Sequence, residues 1–311
     1  MTHAILLALA PVFFVLALGY GAGRFHIVEN HHVDALNTLV MTFALPASLF
    51  AATASATRSQ MLGQWPLFAI LGLMMLAVHL GWYGYQRMVA GASRADAALQ
   101  ALTIAFPNLA GVGLPIAASV LGPSGAVPVA VALASGSIIV SPLSLLLVEI
   151  NNSTGASGAQ VRKAVWRAVT KPVVLAPALG ILVSLSGLKL GPVPEACLSL
   201  MGHAAPGVAL FLTGLILSSQ SFTLDWKVMW ATIVADIARP ALTAAVVFAL
   251  PVSSEIAKVA ILMAVVPSGF FGILFAVNYR LQSATLGSMV LASTLFSILP
   301  MSIAIAFLFP H

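Results

Sequence analysis

The chain has 311 residues, 60% of them hydrophobic and 7% charged, with a net charge of +5. A soluble domain carries roughly 25% charged residues, so this chain lacks the polar surface to face water, and lipid must be its solvent; its mean hydropathy is +1.07. In a membrane protein a positive surplus belongs to cytoplasmic loops, and no basic run interleaved with aromatics suggests nucleic acid.

Ten apolar stretches follow one another near 3–23, 33–53, 66–88, 97–120, 126–149, 172–187, 192–219, 226–249, 254–279 and 283–309. Each has about the length a bilayer core requires of a helix. The first lacks the basic leader and cleavage site of a signal peptide and is read as a retained span. Proline at Trp65-Pro66 and Lys171-Pro172 suits the first turn of spans three and six. Gly19-Tyr20-Gly21-Ala22-Gly23 permits close helix packing, and a homodimer is left open by it. His26, His31 and His32 sit in the first loop with Glu29 and Asp34, at spacings that match no metal site. Cys197, the only cysteine, excludes an internal disulfide and reads as a small buried hydrophobe.

Residues 150–171 are the long polar stretch and join two halves, 1–149 and 172–311. Within it, Gln160–Ala168 alternates Arg162, Lys163 and Arg167 with Val161, Val165 and Trp166, as either an amphipathic segment on anionic lipid or a solvated linker does. The Asn151-Asn152-Ser153 and Asn152-Ser153-Thr154 glycosylation triplets fall in the same loop and are given no role. Ten spans put both termini on one side. With the termini outside, inside loops hold Arg24, Arg87, Arg94, Arg162, Lys163, Arg167, Lys171, Lys227 and Arg280, and outside loops hold Arg58, Lys189 and Lys258. That asymmetry follows the positive-inside rule.

The halves echo each other at one offset: Pro46 with Pro206 (206 − 46 = 160) and Pro107 with Pro267 (267 − 107 = 160). Five spans per half is odd, so the repeat is expected to be inverted, as in many secondary transporters. Span four carries Pro107-Asn108 with Gly111, Gly113 and Pro115 close behind, and span nine carries Pro267-Ser268-Gly269. Proline and glycine so placed interrupt a helix. If both breaks meet in mid-bilayer, the half-helix N-termini aim positive dipole ends at one point, where a carboxylate is favoured. The bland alternative is a pair of kinks shaped for packing.

Asp236 and Arg239 lie three residues apart on one face of span eight. They are either an internal ion pair or a proton-linked carboxylate and a counter-charge for an anion. Subtracting the offset from Arg239 gives His79 (239 − 160 = 79), titratable near neutral pH or simply structural. His203, flanked by Gly202 and Gly207 before Pro206, and Ser48, two residues after Pro46, are candidates for the same cavity. Asn37 and Asn278 read as interhelical hydrogen-bonding amides.

With Pro-Asn in span four, Pro-Ser-Gly in span nine, and Ala-Leu-Pro in span two echoed by Ala-Ala-Pro in span seven, the chain resembles the auxin efflux carrier family over nearly its whole length. That family includes plant auxin (PIN) exporters and bacterial malate and malonate permeases. The resemblance implies an all-α membrane fold of ten helices in two inverted five-helix repeats. It also implies a scaffold of spans 1, 2, 6 and 7 and a mobile transport unit of spans 3–5 and 8–10. Substrate carboxylate binding then falls on Asn108 and the backbone around Pro107 and Pro267, with Ser48 as a neighbour. The long loop of the large plant exporters is absent, which turns the expected substrate from auxin toward a small dicarboxylate in a bacterial inner membrane.

No phosphate-binding Gly-x-x-x-x-Gly-Lys, His-Glu-x-x-His, Gly-x-Ser-x-Gly or Gly-x-Gly-Asp occurs. Neither ATP drive, an intramembrane enzyme nor a cofactor is therefore expected. The expected partners are the anion, the bilayer and protons; sodium coupling is left open.

Overall fold

The computed structural model describes residues 2–29, 32–151, 158–219, 223–281 and 284–309. The described residues are all-helical, without a strand; an isolated antiparallel bridge joins Pro107 to Ser268. Helices satisfy their own backbone polar groups, as lipid demands. In chain order they are α1 (Thr2–Arg24), α2 (Val33–Ala54), α3 (Arg58–Gly63), α4 (Trp65–Met88), α5 (Arg94–Ala105), α6 (Leu109–Leu121), α7 (Ala126–Asn151) and α8 (Gly158–Val169). The second half continues with α9 (Pro172–Ser186), α10 (Pro192–Ser218), α11 (Trp226–Ala249), α12 (Ser254–Ala264), α13 (Phe271–Asn278), α14 (Ala284–Phe296) and α15 (Ile298–Leu308).

Among the described residues, α2, α4, α7, α10 and α11 are long and apolar enough to cross a membrane, and α14 with α15 makes a sixth if the bent pair is one span. The apolar stretches 97–120 and 254–279 are interrupted where prolines and glycines predict it, between α5 and α6 and between α12 and α13. The last span differs from the straight helix expected at 283–309: it bends by 44° at Ser297. Pro300 has no N–H to give the Phe296 carbonyl, and its ring crowds that oxygen, so the bend falls one turn before it.

Other prolines leave their helices unbroken. Pro206 sits inside the uninterrupted α10. At Pro46, Pro115 and Pro240 the helix widens instead of breaking, through π-helical stretches at Leu39–Ala44, Leu109–Gly113 and Val234–Ala238. Each stretch ends two residues before its proline. A wider turn makes room for the ring and redirects the carbonyl that proline cannot bond.

Ser93 caps α5 by accepting from the Asp96 N–H, and Ser253 caps α12 by accepting from the Ile256 N–H, again 160 residues apart (253 − 93 = 160). α1 lies along α10, and α2 packs between α9 and α10. Glycine sets the first of these approaches: a Cβ at Gly19 would lie 2.0 Å from the Phe211 carbonyl oxygen, and one at Gly214 2.1 Å from that of Leu16. A second group packs α4 with α5, α7 and α11, and α11 with α12 and α14. Asn37 ties the groups together, its Nδ2 donating to the Leu274 carbonyl at 3.1 Å; Asn278 is exposed at the end of α13.

Three surface expectations have distinct outcomes. Residues 158–169 form α8, with Arg162, Lys163, Val165, Trp166 and Arg167 exposed. Cys197 is exposed rather than buried, on an apolar face with Phe43, Phe50, Leu179 and Met201; on a membrane helix an outward face suits a small apolar residue as well as a core does. His31 and the glycosylation triplets beyond Asn151 lie outside the described residues.

Candidate functional site

The two interrupted segments cross in contact. The Asn108 N–H donates to the Pro267 carbonyl at 2.8 Å, and the Gly269 N–H reaches the carbonyls of Phe106 (2.9 Å) and Thr103 (3.1 Å). Pro107, Asn108, Pro267, Ser268 and Gly269 are all buried. The approach needs glycine, because a Cβ at Gly269 would stand 2.3 Å from the Phe106 carbonyl oxygen. Phe106, Phe271 and Phe270 stack over the crossing, with centroid separations of 4.6 and 5.7 Å.

Asn108 caps α6. Its Oδ1 accepts from the Gly111 N–H at 3.0 Å, an N-cap that also needs Gly111, where a Cβ would meet that oxygen at 2.8 Å. The amide Nδ2 is buried without a partner, and so is Ser268 Oγ. Two unsatisfied polar atoms thus stand at the crossover, where unpaired groups are rare and call for an occupant.

Arg239 holds the crossing from its C-terminal side. It is fully buried; its Nε donates to the Ala264 carbonyl at 3.0 Å, and its Nη atoms donate to the carbonyls of Ile104 and Val266. The Ile104 and Ala264 carbonyls close α5 and α12 and that of Val266 follows in the break, so one guanidinium meets the negative dipole ends of both helices. Arginine's planar fork suits three divergent carbonyls as lysine's point charge does not. Asp236 completes the network: its Oδ1 accepts from Ser293 Oγ at 2.7 Å, which itself accepts from the Ser268 N–H at 2.8 Å, while Oδ2 has no hydrogen-bond partner. The π-helical stretch Val234–Ala238 carries Asp236 and delivers Arg239 to this position.

Ser48 and His203 line one cavity of about 310 Å³, with Pro206, Ser55, Ser199 and Glu195, and α6 closes it with Ala110 and Leu114. Side chains of α2 and α10 therefore face the helix that Asn108 caps. A Cβ at Gly202 would lie 2.8 Å from Ser48 Cα, so these two helices touch at the cavity floor. His79, the counterpart of Arg239 by offset, does not reach the crossover; its Nε2 pairs with Ser144 Oγ at 2.7 Å.

Sequence reasoning missed Ser293 and Thr103. Ser293 stands among Ser288, Thr294 and Ser297 in the last span, and nothing in the sequence separates it from them. Thr103 contributes a backbone carbonyl, invisible to residue type, although the wall it presents to Gly272, 1.9 Å from a Cβ there, ties the two positions.

The sequence pattern of the membrane transport protein family matches residues 4–305. The chain is 27% identical over 280 residues to the uncharacterized transporter YfdV of Escherichia coli (strain K12), covering 89% of each chain. It is 24% identical over 340 aligned residues to auxin efflux carrier component 5 of Arabidopsis thaliana, covering 97% of this chain and 95% of that one.

Proposed function

We propose, from the premise that the chain belongs to the auxin efflux carrier family of membrane transport proteins, that it is a secondary carrier of a small organic anion. The carrier has ten spans in two inverted five-helix repeats, with α5–α6 and α12–α13 as the broken fourth and ninth. α1, α2, α9 and α10 form a scaffold, and the helices of 65–151 and 226–308 form the moving unit. Both termini are periplasmic, in a bacterial inner membrane. The observation that carries the reading is the crossover itself: two broken segments bonded through Asn108 and Pro267, with Asn108 Nδ2 and Ser268 Oγ left unpaired.

A carboxylate there accepts from the Asn108 amide and the Ser268 hydroxyl, with Pro107, Gly111, Pro267 and Gly269 shaping the backbone. Arg239, occupied by three carbonyls, fixes the crossover and offsets the charge of the bound anion. Ser48 and His203 contact the anion's remainder in the cavity. Alternating access moves the crossover against α2 and α10. Asp236, linked through Ser293 to Ser268, takes up the coupling proton, and His79 is a second proton-linked group.

Malonate or malate is the first substrate candidate, by family resemblance. A second reading, a monocarboxylate with an apolar body, is favoured by the cavity wall, where Ala110, Leu114, Ala130 and Leu133 outnumber cationic groups. The test is counterflow of radiolabelled malonate, malate and an aromatic monocarboxylate in proteoliposomes. Trans-acceleration by at least one of them, abolished in Asn108→Ala, is the expected result. No exchange of any carboxylate by folded protein refutes the reading.

A further inference from the structure

Buried hydroxyls in these helices are mostly satisfied by their own backbone. Thr103, Ser135, Ser144, Thr213, Thr232 and Thr243 all donate to a carbonyl three or four residues back, the default for Ser and Thr in a helix. Ser137 and Ser141 of α7 do not: both are wholly buried, and neither hydroxyl has a partner. They share a helical face with Ser144, at spacings of four and three residues. That face meets α4 at Ser144, which is bonded to His79.

The facing side of α4 repeats the anomaly. His79, Trp82 and Gln86 recur at three and four residues, and each is at most 4% exposed. His79 Nδ1 and Trp82 Nε1 have no hydrogen-bond partner. Gln86 Nε2 donates to Gln100 Oε1 at 2.8 Å. Gln100 in turn lines a polar cavity of about 440 Å³ with Ser93, Asp96 and Lys227. At the other end, next to Ser137, a Cβ at Gly136 would stand 2.7 Å from the Phe106 ring, which stacks over the crossover.

Two contacts, Gln100 with Gln86 and His79 with Ser144, thus join polar side chains that recur along one face of each helix: Gln86, Trp82 and His79 on α4, then Ser144, Ser141 and Ser137 on α7 toward the crossover. Four of them carry a buried polar atom that no protein group satisfies. Such atoms in a native interior are met by ordered water, which typically makes about three hydrogen bonds. Polar groups at membrane depth commonly mark water or proton pathways.

We infer that the interface between α4 and α7 holds a file of internal water molecules, running from the cavity at Gln100 past His79 to the crossover. The file binds water through Trp82 Nε1, His79 Nδ1, Ser141 Oγ and Ser137 Oγ. It gives the His79 imidazole a route for proton exchange with one face of the membrane; that use, though not the hydration, rests on the carrier reading.

The test is X-ray radiolytic hydroxyl-radical labelling of the full chain in lipid nanodiscs, read by mass spectrometry. Radicals form from water, so a buried side chain is oxidised on the millisecond scale only beside ordered water. His79 and Trp82, corrected for intrinsic reactivity, are expected to label at least about tenfold faster than Met301, which is wholly buried on α15, away from α4 and α7. Exposed Trp65 is the positive reference. Ser137→Val with Ser141→Val is expected to cut His79 labelling several-fold while leaving Trp65 unchanged. His79 and Trp82 as silent as Met301 in the unaltered protein overturns the inference without any variant. The measurement needs neither substrate nor transport, so its outcome is independent of the counterflow result.

Discussion

Gly269→Ala puts the crossover under direct test. The added methyl would start 2.3 Å from the Phe106 carbonyl oxygen and 3.3 Å from both the carbonyl carbon and oxygen of Pro107, all main-chain atoms that cannot rotate away. A carbon beside a carbonyl oxygen settles at about 3.3–3.6 Å, so the two segments must part by about 1 Å. The Gly269 N–H then stretches from 2.9 and 3.1 Å to its two carbonyls well past hydrogen-bonding range. An unsatisfied buried donor costs about 1–3 kcal/mol, and weakening the adjacent Asn108–Pro267 bond costs about 1 kcal/mol more. We expect a stability loss of about 2–4 kcal/mol and, because a misplacement of about 1 Å can cost a positioned site up to about 100-fold, a fall in carboxylate exchange of at least about tenfold. Thermal unfolding in detergent reads the first and counterflow per folded protein reads the second. Gly81→Ala and Gly84→Ala are controls: a Cβ at either meets nothing within 4 Å, and alanine favours a helix interior by about 0.5–1 kcal/mol. Gly269→Ala behaving like these controls would show that the crossover is not the close-packed junction described.

Other substitutions separate the roles of neighbouring groups. Arg239→Met strips three carbonyls of their donor and leaves Asp236 without its counter-charge; a loss of about 3–5 kcal/mol is expected, with Arg239→Lys only partly restoring the melting temperature. Asp236→Asn keeps an acceptor for Ser293, so the fold should survive while proton-coupled uptake is lost and exchange persists; unchanged proton-driven uptake would remove Asp236 from coupling. Gly214→Ala drives a methyl to 2.1 Å from the Leu16 carbonyl oxygen and should lower the melting temperature by forcing α1 from α10, whereas Gly63→Ala, with open space around it, should not. Arg167→Gln breaks a 3.2 Å pair with Glu149 whose arginine side chain is 53% exposed; solvent screening limits its effect to less than about 1 kcal/mol.

The interrupted segments were legible because proline and glycine act through local rules, and two local breaks at one offset constrain each other. Pro107 and Pro267 accordingly meet as the sequence pattern requires. Pro46 and Pro206 share the same offset, yet neither ends its helix: a π-helical stretch absorbs the first and α10 runs straight through the second. Whether a proline breaks, widens or merely punctuates a helix depends on what neighbours offer its orphaned carbonyl, and that is tertiary information. The same limit governs the charged pair. Spacing put Asp236 and Arg239 on one face, but only packing reveals that the guanidinium grips the ends of two half-helices. Cys197 was misjudged because apolar sequence context does not distinguish a core from a lipid-facing surface.

Arg239 braces the crossover in one half of the chain, while its counterpart His79 points elsewhere. Under the proposed arrangement, perfect mirror copies would exchange roles at no cost, and the inward- and outward-facing forms would be equally populated. A brace present once breaks that degeneracy. Under that arrangement the carrier would rest preferentially in one orientation and half-saturate at different concentrations on its two faces, an asymmetry of kinetics that leaves net flux at equal concentrations at zero.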